Sequence, residues 1–217
     1  MKSKKFLTIL ACCMAVISFI ACNTDSNNST YTPPTQEEAR AMFSNVGNTR
    51  VGGLIYLNPN PLNVSDKQDT IPNITCTINQ TDSTASFMFP VRILSKFVSE
   101  ENLGETIAKQ ADKKITFSII PWMYNNCTFV ANPWNLELGD LTGTDGKIYK
   151  NVTFTFWQNS YLAGIATSNN QSIFYISMYA RAIYINGNQT TLLANQDATS
   201  KMWTATNQVP FLFTTSK

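Results

Sequence analysis

Alternation of apolar and polar residues recurs along this chain, and it constrains the fold more than any other feature. The clearest case is the segment ITCTIN at 74–79, where Ile74, Cys76 and Ile78 fall on one face and threonines fall on the other. A two-residue period places neighbouring side chains on opposite faces of a β strand, so one face can be buried while the other meets solvent. The segment is therefore predicted to be a strand of a sheet with one covered face.

Further segments with strand character extend this pattern. They are 51–57, 86–91, 114–120, 147–157, 161–166, 172–185 and 208–216. Asp145-Gly146 precedes one of them and Asn186-Gly187 follows another, and both dipeptides favour tight hairpin turns. The segment 172–185 is apolar on both faces, which is typical of a strand covered on both sides. We expect about eight or nine strands, paired mainly antiparallel.

Two helices are predicted to pack on this sheet. Thr35 and Glu38 have the spacing of a capping box, and Gly47 follows as a stop signal. The residues between them form one apolar stripe, made of Ala39, Met42, Phe43 and Val46. Ser99 is the predicted cap of a second helix, after a helical interlude at 94–98. The expected fold class is mainly β (α+β), as an antiparallel β-sandwich or a barrel-like sheet with two or three packed helices.

The N-terminus has the layout of a bacterial export signal. Three lysines precede an apolar run at 6–21, which is shorter than the roughly 20 apolar residues of a membrane span and lacks basic residues after it. The run ends in Phe-Ile-Ala-Cys, which looks like a lipobox with Cys22 as the acylated residue. We predict a lipoprotein signal peptide at 1–21, a flexible tether at 22–34 and a single β-rich domain at 35–217. The alternative is an ordinary secretory signal that contains cysteines.

The composition excludes several kinds of active site. The chain has no histidine among its 217 residues, which removes Ser-His-Asp and Cys-His nucleophile systems and HExxH zinc sites. Its formal net charge is +2, but three of its 16 basic residues lie in the signal, which leaves 13 basic residues against 14 acidic ones. No basic surface for nucleic acid is therefore expected. We predict no catalytic residue, no cofactor and no metal, and hence a protein that is not an enzyme.

Two cysteines remain after the predicted anchor residue, Cys22. Cys76 and Cys127 both lie in strand-like, Thr-containing runs, and exported proteins often form disulfides. The pair is a candidate disulfide between two strands. The alternative is two buried reduced thiols, since cysteine packs well as a small apolar residue.

Two tryptophans stand out as candidate ligand-binding residues. Trp122 and Trp134 each follow a proline, in PWMYNN and NPWNLEL, at the edges of predicted loops where a ring can be exposed. Most other rings in a strand-rich chain are expected in the core. Because sugars bind flat aromatic faces, these two residues are our candidates for a binding surface.

Other polar patterns allow a functional and a structural interpretation. Glu137, Asp140 and Asp145 could offer oxygen ligands to calcium, but their spacing differs from the known calcium loop and turns are the favoured interpretation. Asp69-Thr70-Ile71 and Asp82-Ser83-Thr84 look like the Asp-Ser/Thr-apolar acceptor pattern for O-glycosylation of exported Bacteroidetes proteins. Thr70 and Ser83, both in predicted loops, are thus candidate O-glycosylation sites.

The longer segments also carry a resemblance. FPVRILSKFV at 89–98, followed by a helix and KKITFSIIPW at 113–122, resembles a domain-of-unknown-function family among the small lipoproteins of gut Bacteroidetes. The resemblance implies a β-rich fold and an exported protein anchored by lipid to the outer membrane, on its periplasmic face or at the cell surface. It implies no activity.

Three functional hypotheses follow. The first is a non-enzymatic, lipid-anchored binding or accessory module of the cell envelope, which recognises a glycan or a protein partner and meets the membrane through Cys22. The second is a calycin-like carrier of an apolar small molecule, with a cavity lined by apolar residues. The third is a glycoside hydrolase, which needs two facing carboxylates about 5–9.5 Å apart. Exposed tryptophans on one face would favour the first hypothesis, and an apolar cavity would favour the second. Two facing carboxylates in a cleft would favour the third.

Overall fold

The computed structural model describes residues 31–58, 68–159, 162–168, 171–197 and 199–215. Its helices are α1 (Gln36–Val46), a 3₁₀ helix (Val91–Phe97) and α2 (Glu101–Ala108). Its strands are β1 (Thr49–Leu57), β2 (Gln68–Asn79), β3 (Thr84–Phe89), β4 (Lys113–Met123), β5 (Thr128–Pro133), β6 (Leu136–Thr142), β7 (Ile148–Phe156), β8 (Leu162–Ser168), β9 (Gln171–Ile185), β10 (Asn188–Thr190), β11 (Ala194–Gln196), β12 (Trp203–Ala205) and β13 (Val209–Thr214). None of the described helices is long and apolar enough to cross a membrane.

Eight of the strands form a closed antiparallel barrel. Their order is β13-β1-β2-β3-β4-β5-β8-β9, and pairing between β9 and β13 closes the ring. Closure leaves no unpaired strand edge within the ring itself. The mainly β fold predicted from the sequence is confirmed, and of the two predicted architectures the chain adopts the barrel.

The long strand β9 connects the barrel to a smaller extension. Its first half pairs with β8, whereas residues 180–184 pair with β7, which in turn pairs with β6. Residues 176–180 are all buried, as the apolar character of both faces predicted. The first half of β9 therefore belongs to the barrel, and its second half belongs to the β6–β7 extension.

Phenylalanine rings fill the inside of the barrel. The centroid of the Phe87 ring lies 5.6 Å from that of Phe117 and 5.4 Å from that of Phe213. The Phe89 and Phe211 rings meet edge to face at 5.4 Å. Such ring pairs add about 0.5–1.5 kcal/mol each beyond the area they bury. The alternating segments of the sequence thus form the wall of the barrel, and their apolar faces form its packed aromatic core.

The first predicted helix is confirmed in detail. The backbone N–H of Glu38 donates to the Thr35 hydroxyl, and the N–H of Thr35 donates to the Glu38 carboxylate at 2.8 Å. Met42, Phe43 and Val46 are buried. The Phe43 ring lies 5.1 Å from the ring of Phe129 on β5. Helix α1 therefore packs its apolar stripe against the barrel.

The predicted start of the second helix is wrong by one residue. Glu100, not Ser99, is the N-cap of α2. The Ser99 hydroxyl and backbone N–H instead both donate to the Leu192 carbonyl, beside a β-bridge between Val98 and Leu193. Ser99 thus bonds a distant segment instead of capping the helix. No signal near Ser99 in the sequence indicates this long-range contact.

Candidate ligand-binding site

A groove lies on the outer face of the barrel, across β2, β3 and β4. Its volume is about 560 Å³. The groove is lined by Thr77, Asn79, Asp82, Thr84, Ser86, Lys114, Thr116 and Trp134. All of these residues except Trp134 are polar or charged. They form the floor of the groove, and the aromatic ring of Trp134 stands beside this polar floor.

The register of the strands arranges this floor in rows. Thr77 lies opposite Ser86, which lies opposite Thr116. Two residues further along, Thr84 lies between Asn79 and Ser118. The intervening residues point inward and join the core. The same alternation that fills the barrel with apolar side chains thus covers this part of its outer wall with hydroxyls.

Most of the hydroxyls in the floor are not used by the fold. Within the described part of the chain, the side chains of Thr77, Thr84, Ser86 and Thr116 make no hydrogen bond. Each hydroxyl can donate one hydrogen bond and accept others. The floor therefore offers several free donors and acceptors to a polar ligand.

Trp134 forms one wall of the groove and is held in place. Its backbone N–H donates to the Thr116 carbonyl at 2.8 Å, and its indole N–H donates to the Ser118 hydroxyl at 3.0 Å. The side chain is nevertheless 56% exposed. Pro133, at the end of β5, pairs with Phe117, which brings the following tryptophan over β4. The ring is thus both fixed in orientation and open to solvent.

The two charged residues of the groove lie at opposite ends. Asp82 is in the turn between β2 and β3, and its carboxylate accepts a 2.7 Å hydrogen bond from the Asn79 amide. Lys114 lies at the other end, opposite Met88 of β3, whose side chain is exposed. Lys114 has no ion pair with any described residue.

The structure separates the two tryptophans that the sequence proposed together. Trp134 lines the groove, but Trp122 does not. The ring of Tyr31 stacks on Trp122 with centroids 4.0 Å apart and planes 17° from parallel. The Tyr31 hydroxyl also donates to the Trp122 carbonyl at 3.3 Å. One aromatic face of Trp122 is thus already covered by the chain itself.

The candidate disulfide is not formed in the structure. Cys76 and Cys127 are free thiols. Cys76 points into the barrel, where burial raises the pKa of its thiol to about 12. Cys127 immediately precedes β5, and its thiol lies 3.5 Å from the Met42 carbonyl of α1. Two strands, β3 and β4, separate β2 from β5 in the ring, and each thiol packs in its own apolar surroundings.

The two candidate glycosylation residues lie in different surroundings. Ser83 is in the turn before β3, as predicted, with a positive φ of 52°. Thr70 was expected in a loop, and this is wrong because it pairs with Ile55 inside β2. The pairing continues through Pro72 and Asn73 by means of a bulge opposite Gly53. Glycosylation at either residue stays a prediction.

The acidic residues near β6 bond the backbone, Asp140 across to β7 and Asp145 within the turn that follows β6. The Asp140 carboxylate accepts the backbone N–H of Asn151 at 2.8 Å, and that of Asp145 accepts the N–H of Lys147 at 3.1 Å. Among the described residues, no three His, Cys, Asp or Glu side chains are grouped as metal ligands would be. Cys22 and the predicted signal peptide lie outside the described residues.

A second groove, of about 450 Å³, runs beside α2 and was not anticipated. Glu101, Glu105 and Trp203 are among its lining residues. The two glutamates are one helical turn apart on the same element, so both approach the groove from one side. This is not the arrangement of facing carboxylates that glycoside hydrolysis needs.

The hydroxyl floor at Trp134 is the part of the site that sequence reasoning missed. The threonines on the polar faces of β2 and β4 are visible as a pattern in the sequence. Which of them become neighbours depends on strand register, and no short motif encodes that register.

Comparison with known proteins places the chain in a family without assigning it an activity. No curated protein matches the chain, and no solved structure does. A family model described as "Domain of unknown function (DUF4840)" matches residues 45–185, which is more than half of the chain. The resemblance had implied a family of uncharacterised domains, and the match confirms that much. The chain, with its closed barrel and outer groove, belongs to the DUF4840 family.

Proposed function

We propose that this protein is a non-enzymatic, lipid-anchored binding module of the cell envelope, and that its ligand is a glycan bound in the groove beside Trp134. The observation that carries the proposal is the exposed, hydrogen-bonded indole beside a floor of hydroxyls that the fold leaves free. Small-ligand sites combine an apolar or aromatic wall with a few fixed polar groups, and this groove has both parts.

A sugar matches this arrangement better than an apolar molecule does. A pyranose presents a face of C–H groups that can lie on an indole ring, and its hydroxyls can both donate and accept at its rim. The groove offers the same complement, with Trp134 as the flat face and Thr77, Ser86 and Thr116 as hydrogen-bonding partners.

The other two hypotheses receive less support. An apolar carrier needs space within the barrel, where Phe87, Phe117 and Phe213 are in ring contact. A hydrolase needs two carboxylates across the bound sugar, and Asp82 is the single carboxylate among the residues that line the Trp134 groove.

The anchor belongs to the same proposal. The lysine-rich start, the short apolar run and the Phe-Ile-Ala-Cys sequence support acylation of Cys22 and residence at the outer membrane. Each buried CH₂ group of an acyl chain contributes about 0.8 kcal/mol, and stable anchoring takes more than one chain. A lipoprotein with several chains would hold the barrel at the membrane surface permanently.

The proposal is tested by titrating the chain from Asn23 onward with soluble polysaccharides. Binding is read by tryptophan fluorescence and by thermal shift. We expect a saturable response that Trp134→Ala weakens about tenfold or more, because the ring would supply most of the stacking area. Trp203→Ala is the matched control, since Trp203 is also exposed but lies outside this groove.

Three outcomes would contradict the proposal. They are equal glycan affinity of the Trp134→Ala variant, a response to apolar ligands alone, and no response to any polysaccharide. The last outcome would favour a protein partner, to be sought by crosslinking in the native membrane.

A further inference from the structure

We infer that the groove prefers an anionic glycan, whose carboxylate or sulfate group pairs with Lys114. The inference rests on the proposed function, because it names the class of glycan that the same groove would bind. It depends on a separate feature, the placement of one unpaired ammonium group at one end of the groove.

Lys114 is placed where it can reach a ligand that contacts Trp134. It points outward from β4 on the same face as Thr116 and Ser118, the two residues that bond Trp134. Successive outward positions on an antiparallel strand are about 7 Å apart. The Cα atom of Lys114 therefore lies roughly one such step from that of Thr116, and the long lysine side chain can bring its ammonium group within reach of a neighbouring sugar unit.

Two other lysines of the described chain, Lys113 and Lys96, are engaged, and Lys114 is not. The adjacent Lys113 donates to the carbonyls of Glu137 and Leu138, at 2.8 and 3.4 Å. Lys96 lies 3.8 Å from the Asp69 carboxylate. Lys114 has no such partner in the part of the chain that the structure describes. Its charge is thus available to a ligand.

The carboxylate that lines the groove, that of Asp82, does not pair with Lys114. Asp82 lies beyond the row that contains Ser118, and Ser118 and Lys114 are four residues apart on β4, or about 14 Å. The Asp82 carboxylate is also held by Asn79. A direct ion pair across the groove is therefore excluded in this conformation.

A ligand that covers the groove would change the surroundings of the Lys114 charge, and this change favours an anionic ligand. A glycan that spans the floor would remove water from Lys114 and from the exposed Met88 opposite it. Desolvation of an unpaired ammonium opposes binding, whereas an anionic substituent at that position would pair with it in surroundings drier than bulk water. A charged glycan is expected to bind more tightly than its neutral counterpart for this reason.

The test compares glycans that differ in charge and share a backbone. Oligogalacturonate is paired with its methyl ester, and dextran sulfate with dextran, so that carboxylate and sulfate preferences are measured separately against neutral partners. We expect at least one charged form to bind about five- to tenfold more tightly than its neutral partner. This advantage should shrink as salt is raised from about 0.05 to 0.5 M, because exposed ion pairs are screened.

Two variants connect the preference to Lys114. Lys114→Gln should remove the advantage of the charged form while the neutral form binds as before. Lys150→Gln is the matched control, since Lys150 is also exposed on a strand but lies outside the groove. Trp134→Ala should weaken both forms.

The outcomes separate the inference from the proposed function. Equal affinity for charged and neutral forms, or a charge preference that persists in Lys114→Gln, overturns the inference and leaves glycan binding intact. Absence of binding to every glycan, or glycan binding that Trp134→Ala leaves unchanged, overturns both.

Discussion

At the scale of single residues, the closest backbone contacts of the barrel depend on glycine. A Cβ atom built on Gly52 would lie 2.2 Å from the Thr214 carbonyl oxygen, a backbone atom that cannot rotate away. Strand β1 therefore approaches the end of β13 more closely than any side chain permits. The absence of a side chain at Gly52 is a condition for the closure of the ring.

We expect Gly52→Ala to lower the free energy of unfolding by about 1–3 kcal/mol or more, because the strands must separate to accept the methyl group. Urea denaturation followed by fluorescence measures the change. Gly104→Ala is the control, since a Cβ there meets its nearest atom at 3.5 Å and alanine favours the helix α2. Wild-type stability of Gly52→Ala would show that β1 and β13 can move apart at little cost.

The sequence revealed some residues of the site and not others. Trp134 was predicted from its position after a proline, a local signal. Its partner Ser118 was not, because the indole reaches it only after β4 and β5 have paired in one particular register. Thr70 was wrongly expected in a loop because the predicted strand began only at Ile74, whereas β2 begins at Gln68 and a bulge accommodates Pro72 and Asn73. Local chemistry is visible in a sequence, but register is a long-range property.

At the scale of elements, β13 is more important than its length suggests. It pairs with both β1 and β9, and so closes the barrel. It also contributes Phe211 and Phe213 to the aromatic core. The strand lies beyond residues 45–185, which the family model matches. The apolar pattern at 208–216 predicted a strand, with Pro210 suggesting an edge position, but the strand lies inside a closed ring.

We expect Phe213→Ala to lower the free energy of unfolding by about 3–5 kcal/mol, since the ring contacts both Phe87 and Phe174 and would leave a cavity. Thermal and urea unfolding give the value. Tyr124→Ala is a useful comparison, because this ring is exposed and should cost far less. Similar losses in the two variants would mean that the core tolerates the cavity.

At the scale of the whole molecule, the proposed lipid anchor would decide where the groove can act. We expect Cys22→Ser to release the protein from the membrane fraction and to abolish labelling by a fatty-acid analogue in the producing cell. The physical reason is that acyl chains on Cys22 would supply the hydrophobic free energy that holds the protein at the bilayer. Fractionation and intact mass are the measurements.

Cys13→Ser is the matched control, because Cys13 lies in the same apolar run without the lipobox context. It should leave labelling and fractionation unchanged. Retention of Cys22→Ser in the membrane fraction would instead favour another mode of attachment, and an unlabelled, soluble wild-type chain would favour the ordinary secretory signal.

The stacking of Tyr31 on Trp122 fixes the point at which a tether from Cys22 would join the barrel. Tyr31 is nine positions after Cys22, and an extended chain covers at most about 3.6 Å per residue, so Trp122 would stay within roughly 32 Å of the lipid. Lys114 is eight residues before Trp122 on the same strand, or about 27 Å away. With Tyr31 docked, the tether would join the barrel at the Trp122 end of β4. A tether that is not fully extended would hold this end towards the membrane and leave the cationic end of the groove farther out, towards polymers that approach from outside.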